Sequence, residues 1–242
     1  MLSAWRVNLS LLLFIMGAAL LFSACAVPAG DTQDLSDNIE PKAIKLPSPD
    51  FERDFPLERA IYERLSHRSF GKRALTLEEV GQLLWAAQGT GVDGVTGATR
   101  TVPSAGATHP LEIYLVAGEV DGLDPGVYRY EYARHSLVKI AWEDRREKLA
   151  TAALSQNFVA VAPVSIVLAA EYERTTARYG ERGLRYVHME VGHSTQNIYL
   201  QCGSLDLGAV AVGAFNDENV KVLLEIEEEP LMIIPVGDIS SR

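Results

Sequence analysis

Cysteine is nearly absent from this chain. Cys25 and Cys202 are the only two in 242 residues, so no disulfide framework holds the fold. Positive charge is also scarce: 22 Lys and Arg stand against 32 Asp and Glu, a formal net charge of −10. Such a chain repels phosphate backbones, and no nucleic-acid partner is expected. The apolar run from Leu9 to Phe22 is broken by Ser10 and Gly17. It falls short of the roughly 20 apolar residues that a spanning helix needs. A His-x-x-x-His metal pair is missing as well. His188 and His193 lie five apart on one predicted helix, about 140° around its axis, so they do not share a face and no metal site is expected. What remains is globular composition, 48% hydrophobic and 22% charged, in a length suited to one domain with processing segments.

The first 24 residues have the make-up of a signal peptide. Arg6 supplies the positive start, the apolar run follows, and the small residues Ser23 and Ala24 precede Cys25. Phe22-Ser23-Ala24-Cys25 resembles the bacterial lipobox, whose cysteine becomes the lipidated first residue of the mature chain. The expectation is an exported bacterial lipoprotein, held to a membrane through Cys25 and facing the periplasm or the cell exterior. A plain signal peptide with an incidental cysteine is the alternative. Residues 25–56 contain Pro28, Pro41, Pro47, Pro49 and Pro56 without sustained periodicity, and are expected to form a linker. With Cys25 lipidated, Cys202 reads as a buried helix thiol.

From residue 57 to 242 helix and strand signals mix. Helices are expected over Leu57–His67, from the capping box Thr76-Leu77-Glu78-Glu79 to Gly89, and over Glu143–Leu154, Tyr186–Leu205 and Asp217–Ile226. Strands are expected over Leu111–Ala117, Val127–Tyr132, Val164–Ala170, Ala209–Ala214 and Leu231–Val236. Val164–Ala170 is continuously apolar, as in a strand covered on both faces. The irregular alternation points to an α+β fold, a central antiparallel or mixed sheet packed by helices.

Two motifs mislead. Gly89-Thr90-Gly91-Val92-Asp93-Gly94 spells GxGxxG, but the dinucleotide fingerprint needs a strand before it, and here a helix precedes. Ser104 lacks the glycine two positions earlier that a nucleophile elbow requires. Three segments carry more. His67-Arg68-Ser69 ends a helix with cationic and hydroxyl donors suited to phosphate, or is simply a solvated helix end. The stretch from Arg100 to Pro110, with Pro103-Ser104-Ala105-Gly106 inside it, would let a flat ligand approach the backbone, or is a turn. Gly192-His193-Ser194-Thr195-Gln196-Asn197 puts polar groups in an apolar helix, at a ligand or subunit contact or on a solvent face.

In order and spacing these segments resemble the nitroreductase superfamily, and within it the SagB-type dehydrogenases, from about Leu57 to Gly237. The matching pieces include Arg68-Ser69, Thr76-Leu77-Glu78-Glu79, Pro103-Ser104-Ala105-Gly106-Ala107, Glu190-Val191-Gly192-His193 with Gln196-Asn197, and Gly213-Ala214-Phe215. The resemblance implies a nitroreductase-like fold, FMN as cofactor, and a homodimer with its flavins at the subunit interface. It implies cofactor contacts at His67, Arg68, Ser69, Arg100, Pro103, Ser104, Ala105, Gly106, Gln196, Gly213 and Ala214. The Pro103–Gly106 loop would reach the partner's flavin. The family's phosphate segment often carries more cations, here expected from Lys72 or Arg73. Azoline-oxidising relatives use a Lys-Tyr pair that falls near Arg178-Tyr179, the candidate catalytic pair. Arginine keeps its proton near neutrality, so Arg178 could orient a substrate but not act as a base. The reading is an FMN-dependent oxidoreductase acting on a small molecule or a peptide. The alternatives are a peptide azoline dehydrogenase and a flavin-binding module without turnover.

Overall fold

The apolar run Val164–Ala170 forms a strand buried at every position, because helices cover both faces of its sheet. The computed structural model describes residues 43–91 and 99–239. The segment 1–24, Cys25, Val92-Asp93-Gly94 and Arg242 lie outside the described residues. In chain order the elements are β1 (Ile44–Lys45), α1 (Leu57–Glu63), α2 (Leu77–Gln88), β2 (Leu111–Ala117), β3 (Gly126–Glu131), β4 (Ser136–Ala141), α3 (Arg146–Ala152), α4 (Asn157–Val161), β5 (Val164–Ala170), α5 (Glu173–Tyr179), α6 (Arg182–Ser204), β6 (Leu207–Ala209), α7 (Asp217–Leu224) and β7 (Glu229–Asp238).

The seven strands pair in the order β1-β4-β3-β2-β5-β7-β6, and every pairing is antiparallel. Strand parity divides the core. Val164, Ile166 and Leu168 pack with Leu83 of α2 and with Val187 and Ile198 of α6. Val167 and Ala169 face the other way, against Leu149 of α3, Val159 of α4 and Val220 of α7. Each such aliphatic side chain contributes about 1.5–3 kcal/mol by leaving water. The result is the expected α+β arrangement.

The α2 capping box forms as its sequence requires: Glu79 N–H donates to Thr76 Oγ1 at 3.2 Å and Thr76 N–H to Glu79 Oε2 at 2.8 Å. Cys202 is a free, buried thiol on α6, and burial pushes its pKa up. Several boundaries differ from expectation. The predicted strand Ala209–Ala214 is displaced to Leu207–Ala209, after which only Val212 bridges Ile233. β4, α4 and α5 were not expected.

The end of the predicted linker is also structured. Ile44 and Lys45 pair with Leu137 and Ser136 of β4, and Leu46 is buried. His135 Nε2 donates to Pro47 O at 2.8 Å, while its Nδ1 accepts from Tyr130 OH at 2.8 Å; this is the neutral tautomer that the network selects. Burial holds the His135 imidazole below its ordinary pKa. The Gln82 amide grips the same segment twice, accepting Asp50 N–H at 2.8 Å and donating to Asp50 O at 3.1 Å.

Candidate functional site

The first group of predicted site residues assembles at the sheet edge that β6 forms. After α1 the chain runs extended, and Ser66 bridges Ala209 in parallel while His67 N–H donates to Ala209 O at 2.8 Å. Tyr199 of α6 secures this contact: its hydroxyl lies 3.0 Å from Ser66 Oγ and accepts Ala211 N–H at 2.8 Å. Gly71 N–H then donates to Asp238 O at 2.7 Å. Close approach requires glycine on the facing strands. A Cβ on Gly208 would lie 2.8 Å from His67 Cβ, and one on Gly237 would lie 3.0 Å from Phe70 Cβ.

Along this extended stretch the side chains differ in surroundings. His67 lines a cavity of about 400 Å³ together with Arg59, Arg64, Tyr199 and Asp238. Arg68 and Ser69 are exposed. The Arg68 guanidinium lies 5.9 Å from the ring centre of Phe158 and makes no ion pair among the described residues. Gln156, two residues before Phe158, donates to Ala214 O at 3.1 Å and to Ala153 O at 2.8 Å. The short α4 region therefore ties Arg68 and Ala214 to one rim. Gly213 and Ala214 are exposed there, and a Cβ on Gly213 would meet nothing within 4 Å. Gln156 and Phe158 carried no sequence motif, and only their contacts reveal them.

A second group forms around the loop before β2. Thr101 N–H donates to Gly89 O at 2.9 Å, and Asn197 of α6 donates to Ala86 O at 3.1 Å and Thr101 O at 3.2 Å. Arg100 stacks 3.6 Å from the ring centre of Tyr132. Pro103 is exposed, and Ser104 Oγ accepts His109 N–H at 2.9 Å. Ala105, Gly106 and Ala107 form a single 3-10 turn in which Gly106 has φ of 60°. A Cβ on Gly106 would lie 2.5 Å from Tyr179 OH and 2.7 Å from Arg178 Nη1. Arg178 Nη1 donates to Gly106 O at 3.2 Å, and Tyr179 stacks edge-on against Tyr186 with ring centres 5.1 Å apart. The candidate catalytic pair thus stands on the small-residue loop.

Behind this loop lies Glu190, 3% exposed, whose Oε1 accepts Gln88 Nε2–H at 3.1 Å. Burial pushes its carboxyl above the ordinary carboxylate value, against the pull of Ser104, Gln88, Arg100 and His193. The sequence places Glu190 in the Glu190-Val191-Gly192-His193 motif without pointing to a role for it. Its place on the buried stripe of α6, between Val187 and Val191 and one turn before Ser194, could have singled it out.

Among the described residues, no hydrogen bond or ion pair joins Arg68, Ser69, Gly213 or Ala214 to Arg100, Pro103, Ser104, Ala105, Gly106, Arg178 or Tyr179. Gln196 belongs to neither group; it is exposed on α6 near Met189, Gly192 and His193. Arg73 cannot supply the missing phosphate cation as expected, because its guanidinium is paired with Glu79 at 2.9 Å and Asp238 at 3.7 Å. Exposed Lys72 keeps that possibility. The donor set on the β6 edge still suits a phosphate-bearing planar cofactor: an unpaired guanidinium, a neighbouring hydroxyl and an open glycine edge.

Comparison with known proteins identifies the family and the fold. The model of the nitroreductase family matches residues 61–238. A nitroreductase-like protein of Methanocaldococcus jannaschii is 49% identical over 194 residues, spanning 80% of this chain and 96% of the relative. A nitroreductase-like crystal structure from Ralstonia eutropha superposes with a TM-score of 0.71 at 29% identity, covering 83% of this chain and 90% of that one. A chain of the Escherichia coli microcin synthetase complex, solved with truncated pro-MccB17 bound, shares the fold. Its TM-score is 0.62 at 20% identity, over 89% of this chain and 85% of that one.

Proposed function

This chain belongs to the nitroreductase family, and from that premise we propose that it is an FMN-dependent oxidoreductase with the cofactor phosphate held at Arg68 and Ser69. The observation that carries the placement is the unpaired Arg68 guanidinium on the same rim as the open Gly213-Ala214 edge. FMN, when bound, supplies hydride chemistry through its isoalloxazine ring. The chain's own part is binding and orientation. Arg68 and Ser69 offer charge-assisted and hydroxyl donors, the Gly213-Ala214 backbone leaves room for a planar ring, and α4 braces both.

The second group of residues suggests a shared site. Among the described residues, Ser104, Ala105 and Gly106 make no hydrogen bond with the Arg68 rim, and they offer small side chains and backbone to another surface. We read that surface as the rim of a second copy, making the working unit a homodimer. The exposed face of α6, with Met189, Gly192, His193 and Gln196, and the exposed apolar residues Leu57, Ile61 and Tyr62 of α1 support it. The lipobox-like Phe22-Ser23-Ala24-Cys25 supports export and attachment to a membrane through Cys25.

A second reading, oxidation of an azoline ring in a modified peptide, is favoured by the contact of Arg178 and Tyr179 with Gly106. There Arg178 would orient the substrate and Tyr179 would be the proton-bearing group. The deciding experiment is purification of residues 26–242, a visible spectrum and light scattering. The expected result is a flavin spectrum, about one FMN per chain, and twice the chain mass. A colourless protein that takes up no added FMN would sink the proposal. A monomer with stoichiometric FMN would sink only the shared site.

A further inference from the structure

Two arginines of α5 hold the loop before β2, and only one of them is neutralised. Arg174 donates to His109 O at 3.1 Å, and its guanidinium is paired with Glu112 and with Glu171, each at 2.7 Å. One turn later Arg178 donates to Gly106 O at 3.2 Å, and no carboxylate pairs with it among the described residues. A guanidinium carries five N–H donors in a fixed fork, and this bond uses one of them. The bond also holds the group in place. An arginine that is already fixed loses less freedom when it takes a second partner. The corner around it adds charge of the same sign. Gly180, with φ of 56°, turns the chain from α5 into α6. Gly183 then lies so close to α5 that a Cβ on it would stand 2.9 Å from Thr176 Cα, and Tyr186 meets Tyr179 edge-on. Arg182 is one turn before Tyr186, and Arg185 is its neighbour. Both are exposed and make no ion pair or side-chain hydrogen bond among the described residues. Acidic side chains outnumber basic ones in this chain, 32 against 22, and Arg59, Arg73, Arg129, Arg145 and Arg146 each have a carboxylate. Arg178, Arg182 and Arg185 stand out against that pattern, although Glu173 and Glu181 belong to the same short stretch.

We propose that this corner selects an anionic small-molecule substrate: Arg178 takes a carboxylate carried by the molecule that meets the flavin, and Arg182 and Arg185 draw that molecule in. The inference rests on the proposed function, which places the Pro103–Gly106 loop beside a flavin. Within that reading Arg178, bonded to Gly106 O, stands next to the reacting ring. Its planar fork matches a carboxylate through two parallel N–H···O bonds, a recognition that a lone ammonium does not reproduce. Glu112 and Glu171 do for Arg174 what the substrate does for Arg178. Tyr179 supplies a second donor at the same spot. A Cβ on Gly106 would lie 2.7 Å from Arg178 Nη1 and 2.5 Å from Tyr179 OH, so guanidinium and hydroxyl converge on one point, which glycine leaves open. Arg182 and Arg185 act at longer range. Their field raises the local concentration of anions over about a Debye length. The net charge of −10 makes such an opening for anions necessary, since the rest of the surface repels them.

The test measures binding, not turnover. The probes are para-nitrobenzoate and para-nitrobenzamide, which share ring and size and differ in charge. They are titrated calorimetrically into the FMN-loaded full chain. The carboxylate is expected to bind roughly tenfold tighter than the amide, the low end for a hydrogen bond to a charged group at an exposed site. Arg178→Ala should bring the two probes within about threefold of each other and leave the amide near its original affinity. Arg178→Lys keeps the charge without the fork and should retain part of the preference. In the double variant Arg182→Ala/Arg185→Ala the preference should survive with a flatter dependence on salt. Equal affinity for the two probes in the original chain, binding of neither, or a preference that persists in Arg178→Ala would overturn the proposal. Should Arg178→Ala lose both probes, Arg178→Lys decides, and absence of any preference there overturns it too. A second readout needs no flavin. In nitrogen–proton correlation NMR spectra of the chain without added FMN, the Arg178 Nε–H signal, assigned by its loss in Arg178→Lys, should move with the carboxylate probe and stay in place with the amide. A signal that stays in place with both refutes carboxylate recognition at Arg178. A chain that takes up no FMN sinks the proposed function, and the Nε–H signal still decides what Arg178 binds.

Discussion

Replacing Arg68 by Ala separates cofactor binding from stability. In its own chain the guanidinium is exposed and makes no ion pair among the described residues. Among the described residues its one partner is the Phe158 ring, 5.9 Å away. At that distance and exposure a cation–π contact is worth about 0.5 kcal/mol, so melting should shift by no more than a few degrees. A phosphate contact is larger. Hydrogen bonds to charged groups contribute about 1.5–3 kcal/mol, and solvent screening at an exposed site favours the lower end. The expected loss is roughly tenfold in FMN affinity. Salt supplies a second signature. With a Debye length of about 10 Å at 0.1 M, FMN binding to the original protein should weaken as salt rises, and Arg68→Ala should flatten that slope. Fluorescence titration at two ionic strengths, beside a thermal melt, measures all three. Unchanged affinity would refute the reasoning and move the phosphate elsewhere, with the cavity between His67 and Arg64 as the next place to look. A large loss of stability would show instead that Arg68 is part of the fold.

Three further outcomes are expected. Gly106→Ala should loosen the loop and weaken FMN binding while leaving the core intact, because a Cβ at φ of 60° would collide with Tyr179 OH; wild-type affinity would show that the loop yields at no cost. Stability should fall as pH drops below about 6.5, since burial holds the His135 imidazole below its ordinary pKa and the stabilisation from its neutral form is lost as pH falls through the folded value. His135→Asn suits the φ of 46° at that position and should flatten the drop in a melt between pH 7 and pH 5, and an equally steep drop would exonerate His135. Cys25→Ala should release the chain from membranes or block its processing, which fractionation and gel mobility would detect; unchanged fractionation and size would count against lipidation.

Legibility in the sequence followed the strength of the local signal. The Thr76–Glu79 box, the all-apolar Val164–Ala170 and the long apolar helix bearing Cys202 each have one physical reading, and each formed. β4 was missed because Lys139 interrupts its short apolar run; its place is fixed by pairing with β3 and by a turn that has positive φ at His135. The strand predicted over Ala209–Ala214 was misplaced because Val210 and Val212 are buried by helix packing and one bridge, not by a continuing ladder. For the site, the short motifs located the rim and the loop, but not their separation. Nothing in the order of residues states that Arg68 and Ser104 share no hydrogen bond among the described residues. Gln156 and Phe158 were invisible because their meaning is tertiary: an amide N–H donated to the Ala214 carbonyl and a ring under a guanidinium. Arg73 was misjudged since sequence cannot reveal that Glu79 and Asp238 already hold it.

The clasp on residues 44–50 has a mechanical consequence. β1 lies on one outer strand position and β6 on the other, so the place where the chain joins the sheet is six strand spacings, roughly 29 Å, from the edge that leads to Gly213. A pull from the preceding residues is resisted first by the β1–β4 pairs, the Pro47–His135 bond and the two-way grip of Gln82 on Asp50. Those bonds bear load in parallel over a few residues. Were the chain anchored upstream as proposed, they would act as a strain relief, of the kind that stops a tugged cable from reaching its terminals, and leave the Arg68 rim mechanically quiet.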